Sequence, residues 1–352
     1  MKRFVCPRCR ADVYFDNTVC VSCGRQLGYV PDRFEMAALD PQTQAWHTAE
    51  SDGPAHLPCE NRQYGACNWL RPAASSDPRC VACQHNHTIP DLSVPANVAN
   101  WRKIELAKRY LFYSLMRWRL PIPTRSDEPE KGLAFDFLSD VVKQDGTVQP
   151  VMTGHDTGLI TLNIAEADDA EREKRRTAMG EPYRTLLGHF RHEVGHYYWD
   201  RLVRDGGKVE RARQLFGDET VNYGEALKRH YENGPPPDWQ DSFISSYATA
   251  HPWEDFAETW AHYIHMVDAL ETAKAFGINV RPAPVAGPKD AAAVDFDPYF
   301  VADAQTLVHA WVPLTVAINS VNRSMGQPDL YPFVLSPPVV AKLQFIDALI
   351  HS

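Results

Sequence analysis

Apolar positions along most of this chain recur at helical spacing. Trp101, Ile104, Leu106, Tyr110, Leu111, Leu115 and Trp118 form one stripe, which stops before Pro121 and Pro123. Residues three and four apart share a helix face, so the stripe predicts an amphipathic helix with its aromatics packed into a core. Residues 91–100, punctuated by Pro95 and preceded by Pro90, read as a linker. Residues 132–138 and 158–164 read as strands, the second alternating and rich in β-branched side chains. A charged stretch, 166–176, leads to Gly180-Glu181-Pro182, where the proline suits the first position of a helix running to about Leu202. Pro252 opens another apolar helix, and the pattern past Asp303 is helical again, interrupted over 326–338. There is no internal repeat.

Composition narrows the class. With 352 residues, 44% hydrophobic and 23% charged, the chain can bury an ordinary globular core and has the length of about two domains. A formal charge of −9 argues against a sequence-independent grip on nucleic acid or an anionic membrane, both of which need a basic face. The basic start (Lys2, Arg3, Arg8, Arg10) reads as a solvated patch. No apolar run reaches the roughly 18 residues that span a bilayer. Cys6 and Cys9 stand where a secretory signal would carry its apolar stretch, so the default location is a reducing cytosol. Thiols there rarely form lasting disulfides.

All eight cysteines fall within the first 83 residues. Cys6-Pro-Arg-Cys9 and Cys20-Val-Ser-Cys23 are two C-x2-C pairs, the spacing of knuckles that present thiolates to one tetrahedral zinc ion. A segment this short builds little core, so metal binding would supply its folding free energy. Cys59, Cys67, Cys80 and Cys83 make a looser quartet, sufficient for a second closed zinc site. His56, His85 and His87 lie close enough in sequence to replace one of them. Redox chemistry is disfavoured because no βαβ pattern surrounds the pairs.

His192-Glu193-Val194-Gly195-His196 is an H-E-x-x-H motif in a helix. Histidines four apart project one turn above each other and can reach one metal ion, with Glu193 aside as a base for water. His189, three before His192, rivals His196; His155, His262 and His265 suit structural roles, and Asp200 suits pairing with a basic neighbour. A catalytic zinc needs a third protein ligand and an open position. Trp199 stands where the metzincin motif has glycine, so a downstream carboxylate is expected as the third ligand. Glu254 and Glu258 share a face of the helix opened by Pro252: one could bind metal while the other orients a ligand histidine. For Asp255, the plainer role of an acid complementing the helix dipole is expected.

The motif with a downstream glutamate resembles the gluzincins. Ser246-Tyr247 followed by Glu254-Asp255-Phe256-Ala257-Glu258 is similar to the lethal-factor-type zincins. That resemblance implies Glu254 as third ligand, Tyr247 as oxyanion stabiliser and Glu258 as the support of a ligand histidine. Cysteine knuckles ahead of Arg191-His192-Glu193-Val194-Gly195-His196-Tyr197-Tyr198-Trp199 resemble the bacterial zinc-binding metallopeptidase family with an N-terminal zinc ribbon, over nearly the whole chain. The expectation is therefore α+β: zinc-ribbon modules over 1–95 and a zincin-like domain over 96–352. One catalytic and two structural zinc ions are expected, with a peptide or protein substrate. The loop Gly234-Pro235-Pro236-Pro237 would shape substrate access, and the ribbons could dock a protein partner. Two other readings compete: an adaptor with a silent zincin scaffold, against which the intact Glu193 speaks, and a zinc amidase acting on a non-peptide amide.

Overall fold

The computed structural model describes residues 2–49, 54–143, 145, 147–149, 151, 153–179, 185–281, 292–301 and 303–352. Helix outweighs strand, 46% to 13%, and among the described residues every strand precedes Ile164, which makes the fold α+β as expected. The chain divides into two compact units, Arg3–Phe190 and Arg191–Ser352. The expected helix start at Gly180-Glu181-Pro182 lies outside the described residues.

The first unit opens with the cysteine knuckles. Strand β1 (Phe4–Val5) pairs antiparallel with β2 (Asp12–Val13), and the turn between them closes through Cys6 N–H to Ala11 C=O at 2.8 Å and Arg10 N–H to Cys6 C=O at 2.9 Å. The second knuckle repeats this, with Cys20 N–H to Arg25 C=O and Gly24 N–H to Cys20 C=O, both 2.8 Å. The residue after each pair, Arg10 or Gly24, is left-handed, with φ of +64° and +70°. Glycine takes that conformation without steric penalty.

Strands β3 (Leu27–Val30), β4 (Glu35–Leu39) and β5 (Trp46–His47) form an antiparallel sheet, and β6 (His56–Pro58) pairs with β7 (Leu70–Pro72), with Cys59 and Cys67 in the connection between them. Phe15 sits at the centre of an aromatic core, 4.7 Å from the Tyr29 ring, 5.0 Å from Tyr110 and 5.8 Å from Tyr113. The last two belong to α1 (Pro95–Arg117), so the ribbon and this helix share a core. The helix begins earlier than the linker reading allowed, because Pro95 occupies its first turn, where a missing N–H is harmless.

Next come β8 (Asn86–Thr88, just before α1), β9 (Ala134–Leu138), a small hairpin of β10 (Val141–Val142) and β11 (Val148–Gln149), then β12 (Gly154–Asp156) and β13 (Leu159–Asn163). The larger sheet runs β12-β13-β9-β8; its edge strand β12 is antiparallel and the other pairings are parallel. The two strands expected from sequence are β9 and β13, and they bury Phe135, Phe137, Ile160 and Leu162. Helix α2 (Asp169–Met179) follows.

The second unit is helical. Helix α3 (Leu186–Tyr198) enters it and continues as a wide π turn, Trp199–Arg204, with Asp205 N–H bonding Asp200 C=O at 2.9 Å. After it come α4 (Val209–Phe216), α5 (Tyr223–Asn233), α6 (Pro252–Ala275), α7 (Ala304–Ser324) and α8 (Pro337–Ile350). Within this unit, α3 packs on α6 through Tyr198 stacked on Trp260, and the turn that follows α3 places Trp199 edge-on to Phe256. Gly195 makes the approach close: a Cβ there would lie 2.9 Å from the Ala257 Cα. The expectation for Asp255 needs correction. It is fully buried and accepts a 2.6 Å bond from Lys342 of α8, since a buried carboxylate requires a partner that a helix dipole alone does not replace.

Candidate metal centre

All residues of the centre lie in the second unit. Helix α3 presents His192 and His196 one turn apart, with their Nε2 atoms separated by 3.3 Å. The first turn of α6 presents Glu254, whose Oε2 lies 3.0 Å from His192 Nε2 and 3.7 Å from His196 Nε2. Ligands about 2.0–2.1 Å from a tetrahedral metal stand about 3.4 Å apart, so the three separations fit such a site. Glu254 Oε2 is buried and makes no hydrogen bond of its own. Two imidazole nitrogens and a carboxylate oxygen converging in a buried place are the donor set that suits a divalent cation.

Behind them stands a layer of supports. His192 donates from Nδ1 to Glu258 Oε1 at 2.7 Å, leaving the Nε2 lone pair toward His196 and Glu254. Ser245 donates to Glu258 Oε2 at 2.6 Å and accepts from Ala248 N–H at 3.1 Å. The Tyr223 hydroxyl donates to Glu254 Oε1 at 2.6 Å. Tyr247 lays its ring 5.9 Å from that of His192. Glu193 is buried beside the pair of histidines.

The electrostatics ask for positive charge. Burial disfavours a charged His192, but the two neighbouring carboxylates, Glu254 and Glu258, outweigh it and hold the imidazole well above its ordinary range. Burial likewise favours a neutral Glu254, yet His196 and His192 hold it well below the carboxylate range. Glu258 follows the same pattern: the His192 hydrogen bond overcomes burial and takes it down to about 2. Glu193 goes the other way, raised mainly by burial and opposed by the two histidines. Burial, reinforced by the charge of Glu254, pushes the Tyr247 phenol up, so it stays a hydrogen-bond donor.

Both cysteine quartets also converge. Cys6 and Cys23 Sγ are 3.8 Å apart, Cys9 and Cys20 3.6 Å, Cys67 and Cys80 3.7 Å. A disulfide would hold sulfurs about 2.05 Å apart. Four thiolates about 2.3 Å from one zinc stand about 3.8 Å apart, which is what is found. Cys59, Cys67, Cys80 and Cys83 form the second group by themselves. The nearby histidines face elsewhere: His85 Nδ1 to Leu133 C=O at 2.7 Å, His87 to Asp136 at 2.8 Å, His56 toward Asp32.

His189, His155, His262 and His265 each have a partner of their own. His189 turns its Nδ1 to Glu166 at 3.6 Å, His155 accepts from Gly158 N–H, His262 pairs with the Tyr331 hydroxyl, and His265 accepts from Arg191. Asp200 pairs with Arg204 at 2.6 Å. Sequence reasoning missed Tyr223 and Ser245. Ser245 adjoins the Ser246-Tyr247 pair, and that adjacency is the signal that marks it. Tyr223 lies 31 residues from its partner Glu254 with no local pattern to announce it.

Such a pair of ligand helices behind a cysteine-rich ribbon defines a class, the zinc-binding metallopeptidases with an N-terminal zinc ribbon. The chain belongs to it: residues 97–349 match the family described as "Putative zinc-binding metallo-peptidase", and residues 3–94 match a zinc-ribbon domain. Relatives in Mycobacterium bovis and in two strains of Mycobacterium tuberculosis, each an uncharacterized protein, are 42% identical over 351 residues, covering 99% of this chain and 95% of theirs. No solved structure matches. No helix among the described residues is long and apolar enough to cross a membrane.

Proposed function

We propose that this chain is a zinc-dependent peptidase that hydrolyses peptide bonds, with His192, His196 and Glu254 holding the catalytic ion. The observation that carries the reading is the convergence of those three ligand atoms within 4.8 Å of one another, with Glu193 buried next to them. When bound, zinc acidifies a water molecule and polarises a carbonyl. Glu193 takes the proton from the attacking water and returns it to the leaving amine. Tyr247 donates a hydrogen bond to the oxyanion that develops on the substrate carbonyl, a contact made only in the transition state. Glu258, braced by Ser245, fixes the tautomer and rotation of His192. The exposed loop through Gly234 and Pro235 borders substrate access.

The same reading assigns residues 1–95 to zinc-ribbon modules and 96–352 to the peptidase, with three zinc ions in all, a cytoplasmic location, a peptide or protein substrate, and a protein partner docked through the ribbons. Metal analysis joined to a peptide-library cleavage assay tests it. Glu193→Gln should keep three zinc ions and lose hydrolysis, while Glu254→Ala should lose both the third zinc and activity. If Glu254→Ala keeps that zinc and Glu258→Ala loses it, the ligand is misassigned. Tyr247→Phe should keep zinc and KM while kcat falls roughly 10²–10³-fold; retention of more than about a third of kcat removes the hydroxyl from the mechanism. Cleavage of a non-peptide amide in the absence of any cleaved peptide would favour the amidase.

A further inference from the structure

The two oxygens of Glu254 have different surroundings. Oε2 faces the histidine nitrogens, whereas Oε1 is taken by the Tyr223 hydroxyl at 2.6 Å. A carboxylate with both oxygens available can bind a metal through both. That would fill the coordination position which a catalytic site keeps open.

Tyr223 itself is held in place from two sides. It is the first residue of α5, whose N-terminus is capped by Asn222 accepting from Glu225 N–H at 3.0 Å. His251, buried just before α6, accepts from Trp253 N–H at its Nδ1 and donates from Nε2 to Val221 C=O at 3.0 Å. One imidazole thus ties the start of α5 to the start of α6, the helix that carries Glu254. The Tyr223 ring lies 5.2 Å from that of His251 and 6.1 Å from that of Trp253.

Building on the metal centre proposed above, we infer that Tyr223 is a positioning residue: clamped by His251, its hydroxyl occupies Glu254 Oε1 and presents Oε2 alone to the metal. It acts through Glu254. A purely structural tyrosine would change folding stability and leave metal affinity alone.

The experiment uses the full chain, with zinc itself as the probe in chelator competition for the third, weakest-held ion. Supports of metal ligands typically contribute about 10–100-fold in affinity. Tyr223→Phe, which deletes only the hydroxyl, should therefore weaken the third zinc by about that factor. Protein lacking that zinc should melt lower as well, because a buried carboxylate oxygen loses its donor, so chelator competition is the deciding readout. In a Glu254→Gln background, adding Tyr223→Phe should weaken zinc no further, because the two act as one unit. Zinc held by Tyr223→Phe within about twofold of wild type overturns the inference, as does an equal further loss in the Glu254→Gln background. Should Glu254→Ala release the third zinc while Tyr223→Phe does not, the metal centre stands and only the role of Tyr223 falls. A wild-type chain that binds no third zinc overturns both.

Discussion

Replacing Gly195 by alanine sets two opposing effects against each other, and the structure decides between them. Alanine is about 1 kcal/mol better than glycine in a helix interior, so on α3 alone the change would stabilise. The new Cβ, however, would stand 2.9 Å from the Ala257 Cα and 3.3 Å from its Cβ. Carbon atoms in contact normally sit about 3.5–4.0 Å apart. The obstructing atom is backbone, so relief requires α3 and α6 to move apart. Overpacking costs about 1–3 kcal/mol, and a backbone clash belongs in the upper half of that range. The net expectation is a loss of about 1–2 kcal/mol, or about 2–8 °C in melting temperature. Zinc should suffer more than the fold, because Glu254 lies one turn before Ala257 and ligand distances tolerate only about ±0.2 Å. Calorimetry of the zinc-loaded and chelated forms, with chelator competition, measures both. An added Ala257→Gly should recover only part, since it removes the 3.3 Å contact with Cβ and leaves those with Cα at 2.9 Å and the carbonyl oxygen at 3.3 Å. A Gly195→Ala chain that melts higher than wild type and keeps its zinc affinity would refute the packing argument.

Three further outcomes are expected. Burial takes His262 down to about 4 from an ordinary 6.5, so its neutral form contributes stability that is complete above pH 6.5 and lost as pH falls toward 4, about 3 kcal/mol in total; His262→Gln should flatten the acid limb of the melting curve over that window, and parallel curves would contradict it. Lys342→Met should cost about 3–5 kcal/mol by stranding the buried Asp255 carboxylate. Burial pushes Asp255 up to about 7, above its unfolded value, so this loss should grow as pH rises through 7 and be recovered largely by Asp255→Asn; urea unfolding at pH 6 and pH 8 reads it. A chain beginning at residue 96 should fail to unfold cooperatively, because it lacks β8 and the Phe15 contacts of α1; a cooperative transition with zinc bound would show the ribbon to be dispensable.

The parts of this architecture that sequence foretold are those with a short period or a fixed chemistry. C-x2-C pairs and H-E-x-x-H carry their geometry in their spacing, and the stripe from Trp101 to Trp118 announced its helix. Pairings across long separations were invisible. Nothing near Tyr223 points to Glu254, and nothing near Asp255 points to Lys342, 87 positions away. Such partners are set by which helices cross, and a single sequence gives that only through residues like Gly195, whose smallness is informative once its neighbour is known. The linker reading of residues 91–100 failed for a local reason: Pro95 can open a helix as readily as end a segment, and the first turn of α1 lacks the apolar periodicity that would have announced it.

The pairing of β8 with β9 also bears on how such a chain can be inherited. The zinc-ribbon match ends at residue 94 and the peptidase match begins at 97, yet β8 on one side of that line completes a sheet on the other. Gene fusion could join two such pieces only if the incoming ribbon already supplied a strand of the right register and an aromatic to meet Tyr110 and Tyr113. Later exchange of ribbons between lineages would break both at once. Neither matched segment buries its interior alone: Phe15 of the ribbon needs Tyr110 and Tyr113, and β9 needs β8 along its edge.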